Sequence, residues 1–434
     1  MENKFYVGIA REKVTPPLGT LLYGYSVLRP ADKVHDDLYA TAYVFKQGEV
    51  SAVMVTADIC VLETDEAEII QEMVSKETGI KKEHVTFSAT HTHSGPSTRF
   101  SAGWGVKNVE YIETILRPQV LLAVKRALAD MHEAVVGVGT TMSEVGVNRR
   151  ERRLDGSIHL GQNPWGIFNK EMTFIHFKDV DGTPIGSMIH YGTHGTAAGR
   201  SLDITRDWPG MMCDAVERET GAIAAFIAGP SGDTGPRLPN GGTTGNMKDV
   251  EYIGSVAGVD AMKAYKNIRE YRVPTLSVNT GVVSIPYQPL MPLEEAKEKL
   301  AALGDPKDYD GPKYKEATKY GWVLEVYEKD LPRKTHFTQN QTIISLGNIA
   351  FVPFPFEVFS EIALRIAQAS PYAHTLTLNN TNGSGAYFPT KSEMAIGGYE
   401  VAMFGFFATY SMVPDADTFA VNENLRLLNE LYNR

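Results

Sequence analysis

Residues 85–96 read VTFSATHTHSGP and join a short strand to a turn that carries two histidines. Apolar and polar residues alternate from Val85 to Thr90, which is the period-two pattern of a strand. If the extended geometry continues, His91 and His93 lie on one face of the chain, just before the Gly-Pro turn. Two imidazoles placed in this way can bind one metal ion, although a His-x-His pair alone is weak evidence.

The same strand pattern recurs along the chain and interleaves with segments of helical period. Strands are predicted at 39–45, 51–56, 172–177, 185–191, 222–228, 342–346 and 349–352, and helices at 63–77, 109–129, 208–220, 250–265, 293–303 and 357–368. Interleaved strands and helices favour an α/β fold in which helices are layered on sheets. Because some strands follow each other without an intervening helix, we expect mixed β-sheets instead of purely parallel ones.

The composition is that of a globular protein, with 434 residues, 43% of them hydrophobic and 22% charged. We expect a single large catalytic domain over residues 1–434. A stretch rich in charged residues, tyrosines and prolines predicts a helical surface insertion at about 289–335. This insertion could be a lid or a plain solvated excursion.

Charge and hydropathy narrow the range of partners. A formal net charge of −10 argues against nucleic acid, because phosphate contacts need clustered lysines and arginines. The sequence contains no apolar run of about 18 residues, which is the length that would predict a membrane span.

Cys60 and Cys213 are too few for a disulfide framework and are interpreted as small buried hydrophobes. Since the first residues lack the pattern of a secretory signal, we expect a cytoplasmic protein.

Further polar clusters follow predicted strands or open predicted helices. His194 follows an apolar strand and is either a metal ligand or a satisfied core histidine. Asp207 could cap the helix that follows it or orient a ligand histidine. Asp233 and Thr234 lie in a Gly/Pro-rich turn, which can present polar groups to a pocket or serve as a tight crossover. Glu357, at a predicted helix start, is either a favourable cap or a metal ligand.

One basic stretch interrupts the acidic chain at residues 149–153. Its ordinary interpretation is a solvated or salt-bridged turn. Alternatively, Arg149 or Arg150, next to Asn148, could bind a polar substrate group through two parallel hydrogen bonds. Tyr399, in the polar region near the C-terminus, is the remaining candidate for substrate binding.

The order of these motifs resembles that of the neutral/alkaline non-lysosomal ceramidases. The resemblance rests on the Thr-His-Thr-His-Ser-Gly-Pro run at 90–96, the His-Gly-Thr at 194–196, the Gly-Asp turn before Pro236, the Pro-x-Glu at 355–357, the final tyrosine- and glycine-containing segment, and the stretches VGIA at 7–10, Pro16-Pro17 and VHDDLYA at 34–40. It spans nearly the whole chain and covers the catalytic portion of that family. It implies hydrolysis of the amide bond of a small-molecule or lipid-like substrate.

The resemblance also implies a metal site. A zinc ion would be held by His91, His194, Glu357 and Tyr387, and His93 would lie beside it, near the scissile carbonyl. His93 is then expected to stabilise the oxyanion or to shuttle a proton.

One position departs from the family pattern. The family carries a serine, proposed to take part in catalysis, where this chain has Gly235. Because water activated by a metal needs no serine, we expect direct attack by water, with Asp233 in support. The alternative is that Thr234 or Ser231 has taken over the role of nucleophile.

Two other functions stay open at this stage. One is a hydrolase of the same family that acts on a small polar amide, ester or lactone. The other is a non-catalytic relative that binds a metal or a ligand.

Overall fold

The computed structural model describes residues 4–25, 28–100, 105–308, 311–404 and 410–434. The strands are β1 (Phe5–Lys13), β2 (Lys33–Val34), β3 (Tyr39–Gln47), β4 (Val50–Ala57), β5 (Val85–Ala89), β6 (His132–Met142), β7 (Gly146–Arg152), β8 (Ile158–Asn163), β9 (Glu171–Asp179), β10 (Pro184–Tyr191), β11 (Asp203–Ile204), β12 (Ile223–Ala228), β13 (Thr234–Pro236), β14 (Tyr271–Arg272), β15 (Leu276–Pro286), β16 (His336–Leu346), β17 (Ile349–Pro353), β18 (Glu357–Val358), β19 (His374–Leu378) and β20 (Tyr387–Phe388). The helices are α1 (Thr64–Thr78), α2 (Val109–Tyr111), α3 (Arg117–Ala129), α4 (Asp207–Thr220), α5 (Met247–Lys266), α6 (Leu293–Ala302), α7 (Gly311–Glu328), α8 (Ser360–Ala369), α9 (Lys391–Ile396), α10 (Tyr399–Met403) and α11 (Ala416–Tyr432). A π-helical turn at Ile112–Leu116 joins α2 to α3, and 3₁₀ turns lie at Lys82–His84 and Pro306–Asp308.

The largest sheet is mixed, as the sequence predicts. Its strand order is β12-β10-β9-β6-β1-β3-β4-β5, with β14 paired to β6. The pairs β10–β12 and β4–β5 are parallel, and the remaining neighbours in this strand order are antiparallel. A second sheet has the order β15-β16-β17-β19. The α/β fold class is therefore confirmed.

The two sheets pack face to face between two layers of helices. Alternation along β3 directs Ala42 and Val44 towards the helical side, where α1 and α3 pack, and Tyr43 and Phe45 towards the second sheet. Helices α4 and α5 cover the β9–β10–β12 end of the large sheet. Helices α8 and α11 pack against the outer face of the second sheet. This burial on both faces explains why the strand segments are so rich in apolar residues.

One predicted helix start is wrong. The sequence places Glu357 in the first turn of a helix over 357–368, but α8 begins at Ser360. Glu357 instead lies in β18, which pairs in parallel with β20. The chain is extended there because the backbone N–H of Glu357 donates to Ala386 and that of Phe359 donates to Phe388. The other predicted strands and helices agree with the structure to within a few residues, except that β16 starts six residues earlier than predicted.

The stretch at 289–335 contains α6 and α7, and many of its described residues are exposed. Its role as a surface insertion or a lid stays a prediction. Cys60 and Cys213 are both buried as free thiols. Within the described residues, no helix combines the length and the hydropathy needed to span a bilayer.

Candidate metal centre

His91, His194 and Glu357 meet at one point although they are far apart in sequence. His91 follows β5, His194 follows β10, and Glu357 opens β18. The Nε2 atom of His194 lies 2.9 Å from Glu357 Oε2, and the Nε2 atom of His91 lies 3.4 Å from the same oxygen. All three side chains are buried. The structure thus brings together three of the four predicted ligands, from the ends of β5 and β10 and the start of β18.

Backbone carbonyls determine how the two imidazoles are oriented. His91 Nδ1 lies 2.8 Å from the carbonyl oxygen of Cys60, and His194 Nδ1 lies 2.7 Å from that of Ser231 and 3.0 Å from that of Thr234. A carbonyl oxygen can only accept a hydrogen bond, so each Nδ1 carries the hydrogen. In the neutral ring, Nε2 then presents its lone pair to the centre.

The three converging atoms fit a metal ion. Neither Glu357 Oε2 nor His194 Nε2 has a hydrogen-bond partner among the described residues, although both are buried. Buried acceptors in contact with one another are costly unless a cation lies among them. Two imidazole nitrogens and one carboxylate oxygen form a ligand set that zinc accepts.

The protonation states of His194 and Glu357 suit metal binding. Burial, followed by the charge of Arg149, lowers the pKa of His194 to about 4, so its ring is neutral at neutral pH. Burial alone would raise the pKa of Glu357, but the neighbouring His91 and His194 hold it well below its usual range. A neutral imidazole and an ionised carboxylate are the forms that bind metal ions. Burial alone would lower the pKa of His91, but the neighbouring Cys60 and Glu357 raise it well above its usual range, so a metal ion at this centre would displace a proton from His91. Cys60, His91 and His93 form a second group whose candidate ligand atoms also lie within 4.8 Å of one another.

Left-handed backbone conformations are concentrated at this centre. His91, Asn380 and Ala386 have φ angles of 68°, 46° and 64°, a region that residues other than glycine seldom adopt. The strand therefore ends before His91, and the extended geometry assumed from the sequence does not continue. The turn nevertheless brings the rings of His91 and His93 to 4.8 Å between centroids. Strain of this kind commonly persists where function requires it.

Tyr387 lies beside the three ligands. It is directly paired with Glu357 in the β18–β20 ribbon, so both side chains leave the ribbon on the same side. Its buried ring is nearly parallel to that of His194, with 6.3 Å between the centroids. Burial raises the pKa of the Tyr387 phenol, whereas the charge of Arg149 opposes this rise. Its role as the fourth ligand stays a prediction.

His93 is enclosed by a loop that the sequence analysis did not identify. Its Nε2 atom lies 3.3 Å from His91 Nε2, and burial holds its pKa well below the usual range. Gly24 has a φ of 113°, and a Cβ atom there would lie 2.5 Å from the His93 ring. Arg29 donates to the carbonyl oxygens of His93 at 2.5 Å and of Tyr23 at 2.8 Å. A lone glycine and a lone arginine carry no recognisable motif, so only the fold reveals this contact.

Asp207 secures the segment that follows His194. Its carboxylate accepts hydrogen bonds from the backbone N–H groups of Ala197, Ala198 and Trp208 at 2.7–3.0 Å. The Trp208 indole in turn donates to the carbonyl oxygen of His194 at 2.8 Å. Asp207 is the first residue of α4 and not its N-cap, and its carboxylate fixes the loop after His194 through Ala197 and Ala198. Its role in orienting a ligand histidine stays a prediction.

The turn at 231–235 supports His194 through its backbone. The Asp233 carboxylate accepts from the N–H and the hydroxyl of Ser360 at 2.9 and 2.8 Å, and burial raises its pKa to about 6. The Thr234 hydroxyl lies 3.1 Å from that of Ser360. At Gly235, an added Cβ atom would lie 2.5 Å from Thr243. A serine could not stand at position 235 unless Thr243 moved.

The predicted substrate-binding arginines are buried in ion pairs. Arg149 Nε lies 2.8 Å from Glu400, and Arg150 reaches Glu400 at 2.7 Å and Glu393 at 2.5 Å. Asn148 donates to a backbone carbonyl and accepts from the N–H of Arg150. The salt-bridged alternative is therefore what the structure shows for both arginines, although they lie in β7 instead of a turn. Binding of substrate by Asn148, Arg149 or Arg150 stays a prediction.

A cavity of about 50 Å³, which we call the centre pocket, opens beside the metal ligands. Its lining includes His91, His93, Glu357, Tyr387, Tyr399 and Arg99. The ring of Tyr399 lies 5.7 Å from that of Tyr387. The sequence pointed to Tyr399 but missed Arg99, which lies just after the His-Thr-His turn. A larger groove of about 940 Å³, between α1 and the strands β15 and β16, is lined by none of the predicted ligands.

Comparison with known proteins gives consistent findings. Residues 5–257 match the family described as neutral/alkaline non-lysosomal ceramidase, N-terminal. The fold is similar to that of a neutral ceramidase from Pseudomonas aeruginosa, with a TM-score of 0.75 at 18% identity over 99% of this chain and 75% of that one. A solved ceramidase complexed with C2 gives a TM-score of 0.74 at 17% identity over 99% and 76% of the two chains. No curated protein matches the sequence significantly.

Proposed function

Because the chain belongs to the neutral/alkaline non-lysosomal ceramidase family, we propose that it is a zinc-dependent hydrolase of amide bonds. Family membership supports the cleavage of an amide. The observation that carries the metal dependence is the convergence of His91, His194 and Glu357, whose ligand atoms all lie within 4.8 Å of one another in a buried centre. Tyr387 is proposed as the fourth ligand, since it is paired with Glu357 and lies against His194.

Zinc at this centre supplies a Lewis acid that makes water more acidic and polarises the oxygen of a carbonyl group. His91, His194, Glu357 and Tyr387 would hold that ion, and their burial would separate it from bulk water. The backbone carbonyl oxygens of Cys60 and Ser231 accept hydrogen bonds from the Nδ1–H groups of His91 and His194. The two rings therefore cannot rotate without losing a buried hydrogen bond. The centre is therefore preorganised before a substrate arrives.

His93 is proposed to move the proton. Its ring is neutral at neutral pH, and its Nε2 atom faces the centre. It can accept a proton from the attacking water and return it to the leaving nitrogen as the C–N bond breaks. Water is consumed, and a carboxylic acid and an amine are released. Arg29 holds the backbone of His93 through its carbonyl oxygen, and the close approach of Gly24 limits the space around the ring.

Direct attack by water is favoured over a serine nucleophile. Position 235 holds glycine, and Thr243 occupies the space that a side chain would need. The Ser231 hydroxyl accepts from Asn379, and the Thr234 hydroxyl contacts Ser360. These hydroxyl groups are thus engaged in the framework of the site.

Tyr399 is proposed to contact the substrate, because it lines the centre pocket beside Tyr387. A lipid-like amide is one candidate substrate, in line with the solved ceramidases that share the fold. A small polar amide, ester or lactone is the second, and the polar side chains in the lining of the centre pocket, such as His93, Tyr387 and Tyr399, favour it. A non-catalytic metal-binding relative is the remaining alternative.

The test combines metal analysis with an activity screen. Protein purified without chelator should carry about one zinc ion per chain and hydrolyse members of a panel of amides and esters. A chelator should abolish hydrolysis, and added zinc should restore it. Bound zinc without turnover of any compound would favour the non-catalytic alternative, and a protein that binds no zinc would contradict the proposal as a whole.

A further inference from the structure

One face of the β15–β16 pair changes from apolar to polar along its length. Val278 and Ile344 are directly paired and pack on the large sheet. Side chains alternate between the two faces of a strand, so the paired Thr280 and Thr342 lie on that same face, two residues further along. There they line the groove of about 940 Å³ between α1 and the strands β15 and β16, which we call the polar groove. Its volume lies in the range of ligand-binding clefts.

The lining of the polar groove is rich in hydroxyl and carboxamide groups. Among its nineteen described residues, ten are threonine, serine, asparagine or glutamine. Thr280, Thr338 and Asn340 are exposed, and their side chains have no hydrogen-bond partner among the residues that the structure describes. An acyl chain would cover such groups without replacing the hydrogen bonds that they make with water, which costs free energy. A ligand with many hydroxyl groups satisfies them instead.

The charges of the polar groove disfavour an anionic ligand. Glu68 and Glu83 carry its two carboxylates, and neither forms an ion pair with a described residue. Lys82 is the one lysine or arginine among the described lining residues, and its ammonium group lies 3.8 Å from Glu72. Carboxylates repel phosphate and carboxylate groups but accept hydrogen bonds from hydroxyl groups. The polar groove is therefore complementary to a hydroxylated ligand without negative charge.

Two aromatic rings add the apolar contact that a sugar ring requires. Phe337 and Phe356 both line the polar groove, with 5.4 Å between their ring centroids. Phe337 is half-buried, so part of its surface is accessible to a ligand. The face of an aromatic ring is electron-rich and packs well against the C–H groups of a pyranose. Hydroxyl and amide groups beside an aromatic ring form a surface that suits a saccharide.

One short segment separates the polar groove from the centre pocket. Ser384 lines both spaces, Gly385 lines the groove, and Ala386 lines the pocket. A Cβ atom at position 385 would overlap with the ring of Phe356, so the glycine lets the segment pass close to that ring. Because Ser384 borders both spaces, one ligand can occupy the groove and the pocket together.

We propose that the polar groove binds a neutral saccharide that forms part of the substrate. The amide of this substrate lies in the centre pocket, and its saccharide extends past Ser384 into the groove. The substrate class is then a glycosylated amide instead of a simple acyl amide. This inference rests on the proposed function and identifies the substrate class of that site.

Calorimetry with free saccharides tests the polar groove without any catalysis. Maltotriose, cellotriose and xylotriose are titrated into the zinc-loaded protein, and 1-decanol, glucose 6-phosphate and spermidine serve as apolar, anionic and cationic comparisons. At least one neutral trisaccharide should bind. The double variant T338V/N340A removes two exposed hydrogen-bonding groups of the groove, so it should weaken this trisaccharide about tenfold and leave the comparison compounds unchanged.

A matched control is N348A, because Asn348 is exposed in the turn after β16 and does not line the polar groove. It should leave the affinity for the trisaccharide unchanged. The inference would be overturned if no trisaccharide bound, or if T338V/N340A bound it as tightly as the wild type. Selective weakening of a comparison compound by the double variant would also overturn it. Melting temperature shows whether each variant is folded.

Initial rates test whether the saccharide belongs to the substrate. An amide that the protein hydrolyses is compared with the same amide linked to the trisaccharide that binds. The linked amide should have the lower KM, and T338V/N340A should raise this KM about tenfold without changing that of the unlinked amide. Equal KM values in the wild type would overturn the assignment of the saccharide to the substrate. Saccharide binding by a protein that hydrolyses no amide would support the groove while contradicting the proposed function.

Discussion

Replacing Glu357 with glutamine changes the charge of the metal centre and little else. The two side chains have nearly the same shape, but the amide is a weaker metal ligand than the carboxylate and brings an N–H₂ group close to His91 and His194. In the structure, Glu357 Oε2 lies 2.9 and 3.4 Å from the two Nε2 atoms and has no hydrogen-bond partner among the described residues. The variant should therefore lose most of its affinity for zinc.

The size of the effect follows from linkage. A ligand present at about a thousand times its dissociation constant stabilises the folded state by about 4 kcal/mol. The entropy of unfolding is about 2.1 cal/mol/K per residue, so the 434 residues give about 0.9 kcal/mol/K. Zinc should then raise the melting temperature of the chelator-treated wild type by about 4–5 °C. In E357Q the rise should fall below about 1 °C.

Thermal unfolding followed by calorimetry, with and without zinc after removal of the chelator, measures this difference. E361Q is the matched control, since Glu361 lies four residues further along in α8 and outside the ligand set. It should show the shift of the wild type. The reasoning would be refuted if E357Q kept the full shift, or if zinc failed to stabilise the wild type at all.

Three further predictions concern groups around the centre. His91→Ala should lose the metal, whereas His93→Ala should keep most of it and lose activity by roughly a hundredfold. Metal analysis and hydrolysis rates separate the two roles. If both variants lost the metal equally, His93 would be a ligand. Ser231→Ala combined with Thr234→Ala should leave most hydrolysis intact, and trapping of an acyl-enzyme at either position would instead establish a covalent route. Gly24→Ala should lower kcat by at least about tenfold with zinc content unchanged, because the new methyl group meets the His93 ring; wild-type rates in this variant would show that the contact is unimportant.

The sequence predicts the layers of the fold well because local periodicity largely determines them. Strands β3, β4, β5, β9 and β10 and helices α1, α4 and α5 have apolar patterns that match their buried faces. The face-to-face packing of the two sheets depends on long-range pairing, which periodicity does not encode. The error at Glu357 has the same origin, because its backbone partners at 386–388 are distant in sequence.

Each predicted metal ligand lies at or next to the end of a strand, and the structure brings His91, His194 and Glu357 together. Residues that act through shape or backbone contact were harder to find. Gly24 matters because it has no side chain, and Arg29 matters because it reaches two carbonyl groups. Arg149 and Arg150 of β7 belong to a stretch that resembles a surface patch in sequence, yet both are buried in ion pairs with Glu393 and Glu400. Such pairings become visible only once distant segments are assembled.

The proposed ligands of the metal centre come from segments that are far apart in the sequence, and this affects how a cleaved chain would behave. Residues 5–257 contain both ligand histidines, whereas Glu357 and its neighbour Tyr387 lie beyond them. Coordination would therefore act as a reversible cross-link that closes two long loops at once. A protease that nicks the chain between α6 and α7 should leave two fragments that stay associated, because β15 and β16 still pair across the nick. Chelation should lower the melting temperature of the nicked protein, so that temperature would report on occupancy of the site without any substrate.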